Sequence, residues 1–214
     1  MSNNKSNVRD CQSMPHLVKD ADFNIKLKMP ERNLVHTQAF LEKGVINYTL
    51  LGYKVPNGYR LVKSNRKEQY RLITTGDEPE TVYLLELLFR HDIVYDRITC
   101  TQIKVWRTVA LEHNEAVKDL PRAFFAHLLL NYHIVVSDEE HTFAGKRFWE
   151  TMIDWALKTG YFVYVSDGTQ IERPLIAMAN INDFYQQWEA FCWGEDADVY
   201  RHRLVVISKD PITS

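Results

Sequence analysis

The feature that most constrains this chain is the stretch from His133 to Ser166, where a short apolar run, a polar loop, an amphipathic segment and a second apolar run follow one another. Residues 133–137 are too few for a helix, and Ile134, Val135 and Val136 stand in succession, which is the pattern of a strand buried on both faces. Trp149, Met152, Ile153 and Ala156 recur at i, i+3, i+4 and i+7. That spacing predicts a helix over 147–159 with a buried stripe, closed by Gly160. Residues 161–165 then predict a second strand, and 138–146 a loop. A unit of this size fits a strand–helix–strand crossover, which makes the chain an α/β protein.

The remaining segments are consistent with that class. Phe23, Ile25, Leu27 and Met29 alternate with polar residues and predict a strand ended by Pro30. A helix is expected over 32–43, stopped by Gly44. Residues 46–55 and 59–63 predict a hairpin around Pro56-Asn57-Gly58, and 69–74 another strand. Pro79 ahead of Val82, Leu84, Leu85, Leu87, Leu88 and Phe89 predicts a buried helix. Further elements are a strand over 98–107, helices over 120–130 and 182–193, and a terminal strand over 200–208. The expected architecture is a single domain over 16–214, a central mixed, mostly antiparallel sheet flanked by helices, preceded by a flexible segment over 1–15.

Composition narrows the function classes. A formal charge of -2 gives no whole-molecule attraction to nucleic acid or anionic lipid. Cys11, Cys100 and Cys192 form no CxxC pair, and Met1 to Asp10 lack the apolar run of a signal peptide. No segment is apolar enough to span a bilayer, so a cytoplasmic protein with reduced thiols and no membrane partner is expected. Eight histidines form no HExxH or compact ligand cluster, so no metal is assigned.

At the loop-to-helix junction the free backbone N–H groups of a helix start favour anions. Gly145 permits close backbone approach, and Lys146 and Arg147 add positive charge, against Asp138, Glu139 and Glu140 at the loop entrance. The bland reading makes Asp138 and Thr142 turn and cap residues.

The order helix, antiparallel hairpin, strand, loop, helix, strand, helix, strand over roughly 20–208 resembles the GNAT superfamily of acyl-CoA-dependent N-acetyltransferases. The resemblance implies a GNAT-like fold that binds acetyl-CoA at Thr142, Phe143, Ala144, Gly145, Lys146 and Arg147 and transfers the acyl group to an amine. The family's loop reads Q/R-x-x-G-x-G/A; with Gly145 as its first glycine, Thr142 replaces Gln/Arg and Arg147 the second small residue. The family places a tyrosine, here Tyr185, to protonate the leaving thiolate, and a base comes from Asp138, His141 or Glu140. The stretch SDEEHTFAGKRFWE is similar to small phage-encoded proteins described as acetyltransferase-like, which implies a bacteriophage source and the host cytoplasm. The altered glycine pattern motivates the alternative, a catalytically inactive GNAT-like protein that binds a host protein or nucleic acid.

Two other groups of residues suit a partner. Arg60, Lys63, Arg66, Lys67 and Arg71 interleave with Tyr59 and Tyr70, as a single-stranded nucleic-acid site would, or as a charged edge that blocks strand aggregation would. Trp188, Phe191, Cys192 and Trp193 suit a core edge, a protein partner or a homodimer surface.

Overall fold

The computed structural model describes residues 16–17, 26–91, 94, 97–136, 140–141, 143–167, 174–193 and 203–212. The expected flexible segment over 1–15 and Cys11 lie outside these residues. Among the described residues no helix is long and apolar enough to cross a membrane.

The predicted strand over 23–29 differs from the structure, where residues 26–28 are helical. Helix α1 (Pro30–Glu42) follows, with Pro30 at its first turn, where a missing N–H costs nothing. Its stop is Gly44, at φ 89°, whose N–H donates to the Leu41 carbonyl at 3.0 Å. Asn33, Thr37 and Phe40 make the buried face of α1. Asn33 Nδ2 donates to the Thr81 carbonyl at 2.9 Å, while the Thr81 N–H donates to Asn33 Oδ1 at 2.8 Å. The helix is thereby fixed to the start of a central strand by hydrogen bonds that would be costly to leave unmade.

The strands β2 (Val45–Asn47), β3 (Tyr59–Ser64), β4 (Gln69–Thr74), β5 (Thr81–Arg90) and β6 (Thr99–Arg107) are joined in an antiparallel series. The Pro56-Asn57-Gly58 turn is present, with the Tyr59 N–H donating to the Pro56 carbonyl, but the strand expected over 46–55 shortens to β2. The helix expected over 82–89 is strand β5. Residues 81–87 of it are buried on both faces between β4 and β6, so the apolar run reflects a central strand and not a helical stripe.

After β6, a short connection containing a 3-10 turn (Leu111–His113) and α2 (Asn114–Val117) leads into α3 (Leu120–Leu128) and β7 (His133–Val136). Then come α4 (Phe143–Thr159), β9 (Phe162–Asp167), β10 (Leu175–Ala177), the helical pieces α5 (Ile181–Asp183) and α6 (Glu189–Trp193) joined by a π-helical turn (Phe184–Trp188), and β11 (Arg203–Ser208). A separate parallel pair joins β1 (His16–Leu17) to β8 (Glu140–His141).

The nine-stranded sheet has the order β10-β9-β11-β7-β6-β5-β4-β3-β2. Its β6–β7 pair is parallel and its other neighbouring pairs are antiparallel. It is thus a mixed, mostly antiparallel sheet flanked by helices, as expected. The strands at 133 and 162 are not neighbours, because β11 lies between them and pairs with both. β7 and β9 both run antiparallel to β11 and so parallel to each other, which makes β7–α4–β9 the strand–helix–strand crossover expected from the sequence, with β11 between its strands, and β6–α3–β7 a second one between neighbouring strands.

Side chains alternate between the faces. Ile134 and Val136, Val163 and Val165, and Val205 and Ile207 enter the main core with Phe124 and Phe125 of α3 and Trp149, Met152 and Ile153 of α4. Val135, Tyr164 and Val206 form a second cluster. Burying each such large apolar side chain is worth about 1.5–3 kcal/mol, which seats α3 and α4 on one face of the sheet.

Candidate functional site

Thr99, Cys100 and Thr101 of β6 pair in parallel with His133, Ile134 and Val135 of β7, and among the described residues the pairing reaches no further. β6 runs on to Arg107, and among the described residues no strand pairs with its 102–107 segment on that side. An unpaired strand edge within a sheet offers N–H and C=O groups to an extended guest, and ligands of α/β folds gather beyond the carboxyl ends of parallel strands.

Beside this opening the sheet carries charge in its interior. Glu86 of β5 stands opposite Lys104 of β6 and Gln69 of β4, at an irregularity in the β5–β6 register between Glu86 and Leu87. Glu86 is 7% exposed and accepts a hydrogen bond from Gln69 Nε2. Lys67 Nζ and Lys104 Nζ each lie 3.5 Å from its carboxylate. Burial alone would raise its pKa, but Lys104, Gln69 and Lys67 outweigh that and hold the carboxyl below its usual 4.5.

The polar row continues beneath α1. Gln69 Oε1 accepts from Arg71 Nε at 3.3 Å and Nη2 at 3.0 Å. Arg71 is 3% exposed, its guanidinium lies 3.9 Å from the Phe40 ring centroid, and Nη1 donates to Thr81 Oγ1 at 3.3 Å and meets His36 Nδ1 at 3.1 Å. Burial, then the Arg71, Lys26, Lys43 and Lys104 charges, lower His36 from 6.5, so its Nδ1 is the acceptor for Arg71 at neutral pH. Burial lowers Arg71 itself to about 10, and it stays charged.

The residues read from sequence are distributed differently. Asp138 and Thr142 lie outside the described residues, and His141 and Glu140 are in β8. Phe143, 74% exposed, Ala144, Gly145, Lys146 and Arg147 open α4. Lys146 Nζ is 2.6 Å from Glu189 and 3.6 Å from Glu150. Partial burial would lower its pKa, but those two carboxylates raise it. Its charge is thus balanced within the protein. Tyr185, 47% exposed, lies in the π-helical turn near this cluster; burial and then Glu150, Glu189 and Asp154 raise its pKa, so it remains a phenol. The helix that follows β7 is α4, which contains no tyrosine.

Of the basic group on the hairpin, Arg71 is buried under α1 and does not face a partner. Lys63 pairs with Glu68 at 2.9 Å and Lys67 with Glu86. Arg60 and Arg66 remain exposed. Sequence reasoning passed over Glu86 and Gln69. The available signal was a lone carboxylate inside the apolar run Tyr83-Leu84-Leu85-Glu86-Leu87-Leu88, a charge that a buried strand carries only when paired.

Acetyl-CoA makes separate demands at its two ends. A diphosphate finds little support in the β6–α3 connection, where residues 108–119 contain no glycine and carry Glu112, Glu115 and Asp119 against Lys118. Pro121 in the first turn of α3 offers no N–H, and Asp119 makes no side-chain cap. Among the described residues no His, Cys, Asp and Glu group could hold a metal ion. No family model matches the chain, and neither a curated protein nor a solved structure does.

Proposed function

We propose that this chain is a divergent GNAT-like protein that takes the extended arm of an acyl thioester between β6 and β7 and acylates an amine beside Glu86. The observation that carries the reading is that, among the described residues, the parallel pairing reaches only Thr101 and Val135 while β6 continues to Arg107. A gap between two such strands is how the superfamily admits the CoA arm. The units β6, connection, α3, β7, α4 and β9 follow the family's strand, loop, helix, strand, helix, strand order.

A bound thioester would supply the activated acyl carbon. The chain's own contribution starts with the β6 edge, which orients the arm by backbone hydrogen bonds. Glu86 attracts the acceptor's ammonium, which must lose one proton before its nitrogen has a lone pair to attack with; the second proton is the one that the thiolate takes up. Because the Glu86 charge is fixed at neutral pH, it stabilises the positive charge that develops on the attacking nitrogen and does not store the first proton, which leaves to solvent. The acyl carbon gains a C–N bond as its C–S bond breaks, and the departing thiolate takes up a proton. Calorimetry with acetyl-CoA and with an acetylated pantetheine tests the reading. Binding of both ligands by the folded protein supports it; folded protein that binds neither ligand at millimolar concentration removes it.

The acidic, glycine-free β6–α3 connection favours a second reading, a catalytically inactive GNAT-like protein that binds a host protein or nucleic acid. That reading predicts no acyl transfer to any amine, with capture of a defined partner from bacterial lysate.

A further inference from the structure

A pocket lies on the face of the sheet opposite α1. β4 alternates, so that Gln69 and Arg71 face α1 whereas Tyr70 packs on Phe124 of α3, ring centroids 5.4 Å apart. Below the β3–β4 hairpin, a cavity of about 390 Å³ opens between Tyr70 and the C-terminal end of α3. That size falls within the range of small-molecule sites, roughly 300–1,000 Å³. Its walls are Tyr48, Tyr70, Phe89 and Tyr132, with Lys63 and Glu68 at the polar side.

The walls meet as corners and not as a flat stack. Tyr48 and Tyr70 stand at 66° with centroids 4.9 Å apart, and Phe89 and Tyr132 at 54° with centroids 4.7 Å apart. Tyr48 is steadied by its hydroxyl's 3.0 Å hydrogen bond with His127 Nε2. Tyr70 is steadied by donating its hydroxyl to Glu68 at 2.9 Å. Preorganised aromatic rings around a carboxylate attract a cation through the ring quadrupole and the full charge together.

The pocket already holds such a cation, its own. Lys63 Nζ lies 5.4 Å from the Tyr70 centroid and 2.9 Å from Glu68 Oε1. Lys63 is half-buried on the hairpin next to the exposed loop over 65–67, so its long stem can carry the ammonium out to water. We propose that this pocket is a binding site for a small organic ammonium, most favourably a quaternary one, which displaces Lys63 from Glu68 and the Tyr70 ring. A quaternary ammonium is weakly hydrated and loses less than lysine does on entering the aromatic corner. The site is independent of the acyl-transfer reading, because it uses the opposite face of the sheet.

The test is calorimetry of the full chain with choline and with its neutral carbon isostere, dimethylbutanol, with folding checked by circular dichroism. Choline is expected to bind about tenfold more tightly than the isostere, as a cation–π contribution of this order requires. Lys63→Met, which removes the resident cation, is expected to tighten choline about tenfold, and Glu68→Gln to weaken it by a similar factor. Asn131→Asp, on the exposed rim, adds a carboxylate without touching the core and is expected to tighten choline several-fold. Equal binding of choline and the isostere overturns the proposal. So does the absence of choline binding in both folded Lys63→Met and Asn131→Asp proteins.

Discussion

Glu86 and Lys104 face each other across β5 and β6, Nζ 3.5 Å from Oε2, with the carboxylate buried and the ammonium reaching solvent. The pair is asymmetric, because the acid has given up its water and the base has not. Replacing Glu86 with Gln keeps the shape and removes the charge. The expected loss at pH 7 is about 1–2 kcal/mol, reduced from the cost of a fully buried pair because Lys67 and Lys104 are well exposed. The folded state holds Glu86 below its usual 4.5, so its contribution is fully present above that pH. It disappears as pH falls through the lower folded value. Urea unfolding from pH 7 to pH 3 should therefore show wild type and Glu86→Gln converging only below about pH 4.5; a constant gap would mean that charge is not the origin of the difference.

Arg71 presents a stricter case, since its guanidinium serves Gln69, Thr81, His36 and the Phe40 ring at once. Lysine has neither the planar fork nor the stacking face, so Arg71→Lys should cost about 2–4 kcal/mol, nearly as much as Arg71→Met. Chemical denaturation of the two variants measures this, and a near-neutral Arg71→Lys would show that only the charge matters.

His36 adds a pH signature to the same network. Its folded pKa lies below 6.5, so the unfolded chain binds the extra proton first as pH falls. Stability should decline below pH 6.5 until the folded value is reached, and His36→Gln should flatten that slope in thermal unfolding between pH 7 and pH 5.

The legible parts of the fold carried local punctuation. Pro30 and Gly44 bracket α1, the Trp149–Ala156 spacing marks α4, and the consecutive Val205, Val206 and Ile207 mark a strand covered on both sides. The order of strands in space was not legible, because β11 enters between β7 and β9 through contacts made across the sheet, which no local pattern encodes. The β7–α4–β9 crossover itself is legible, since its two strands do run parallel in one sheet; that they are not neighbours is not. Residues 82–89 do not distinguish helix from strand by pattern, because a continuous apolar run of that length suits a buried helix as well as a central strand. Glu86 stayed hidden because its partners, Gln69, Lys67 and Lys104, come from two other strands.

Cys100 offers a probe of this sheet where β6 and β7 still pair. It is fully buried, and burial pushes its thiol up to about 12. Only the thiolate attacks thiol reagents, so at pH 8 the native protein should react about a thousandfold more slowly than a free cysteine, before steric protection is counted. In a Cys11→Ser, Cys192→Ser background, labelling of Cys100 should follow opening of the sheet and become fast in urea. The raised pKa also has a stability consequence. The unfolded thiol ionises near its usual 9.0 while the folded one does not, so stability should fall as pH rises from 9 toward 12. Cys100→Ala should show a shallower decline, with the remainder carried by Tyr53, Tyr70 and Tyr83, which burial raises above 10.0, and it begins from a lower stability because it leaves a small cavity. Fast labelling of native Cys100 at neutral pH would instead place the β6–β7 junction among the readily opened parts of the molecule.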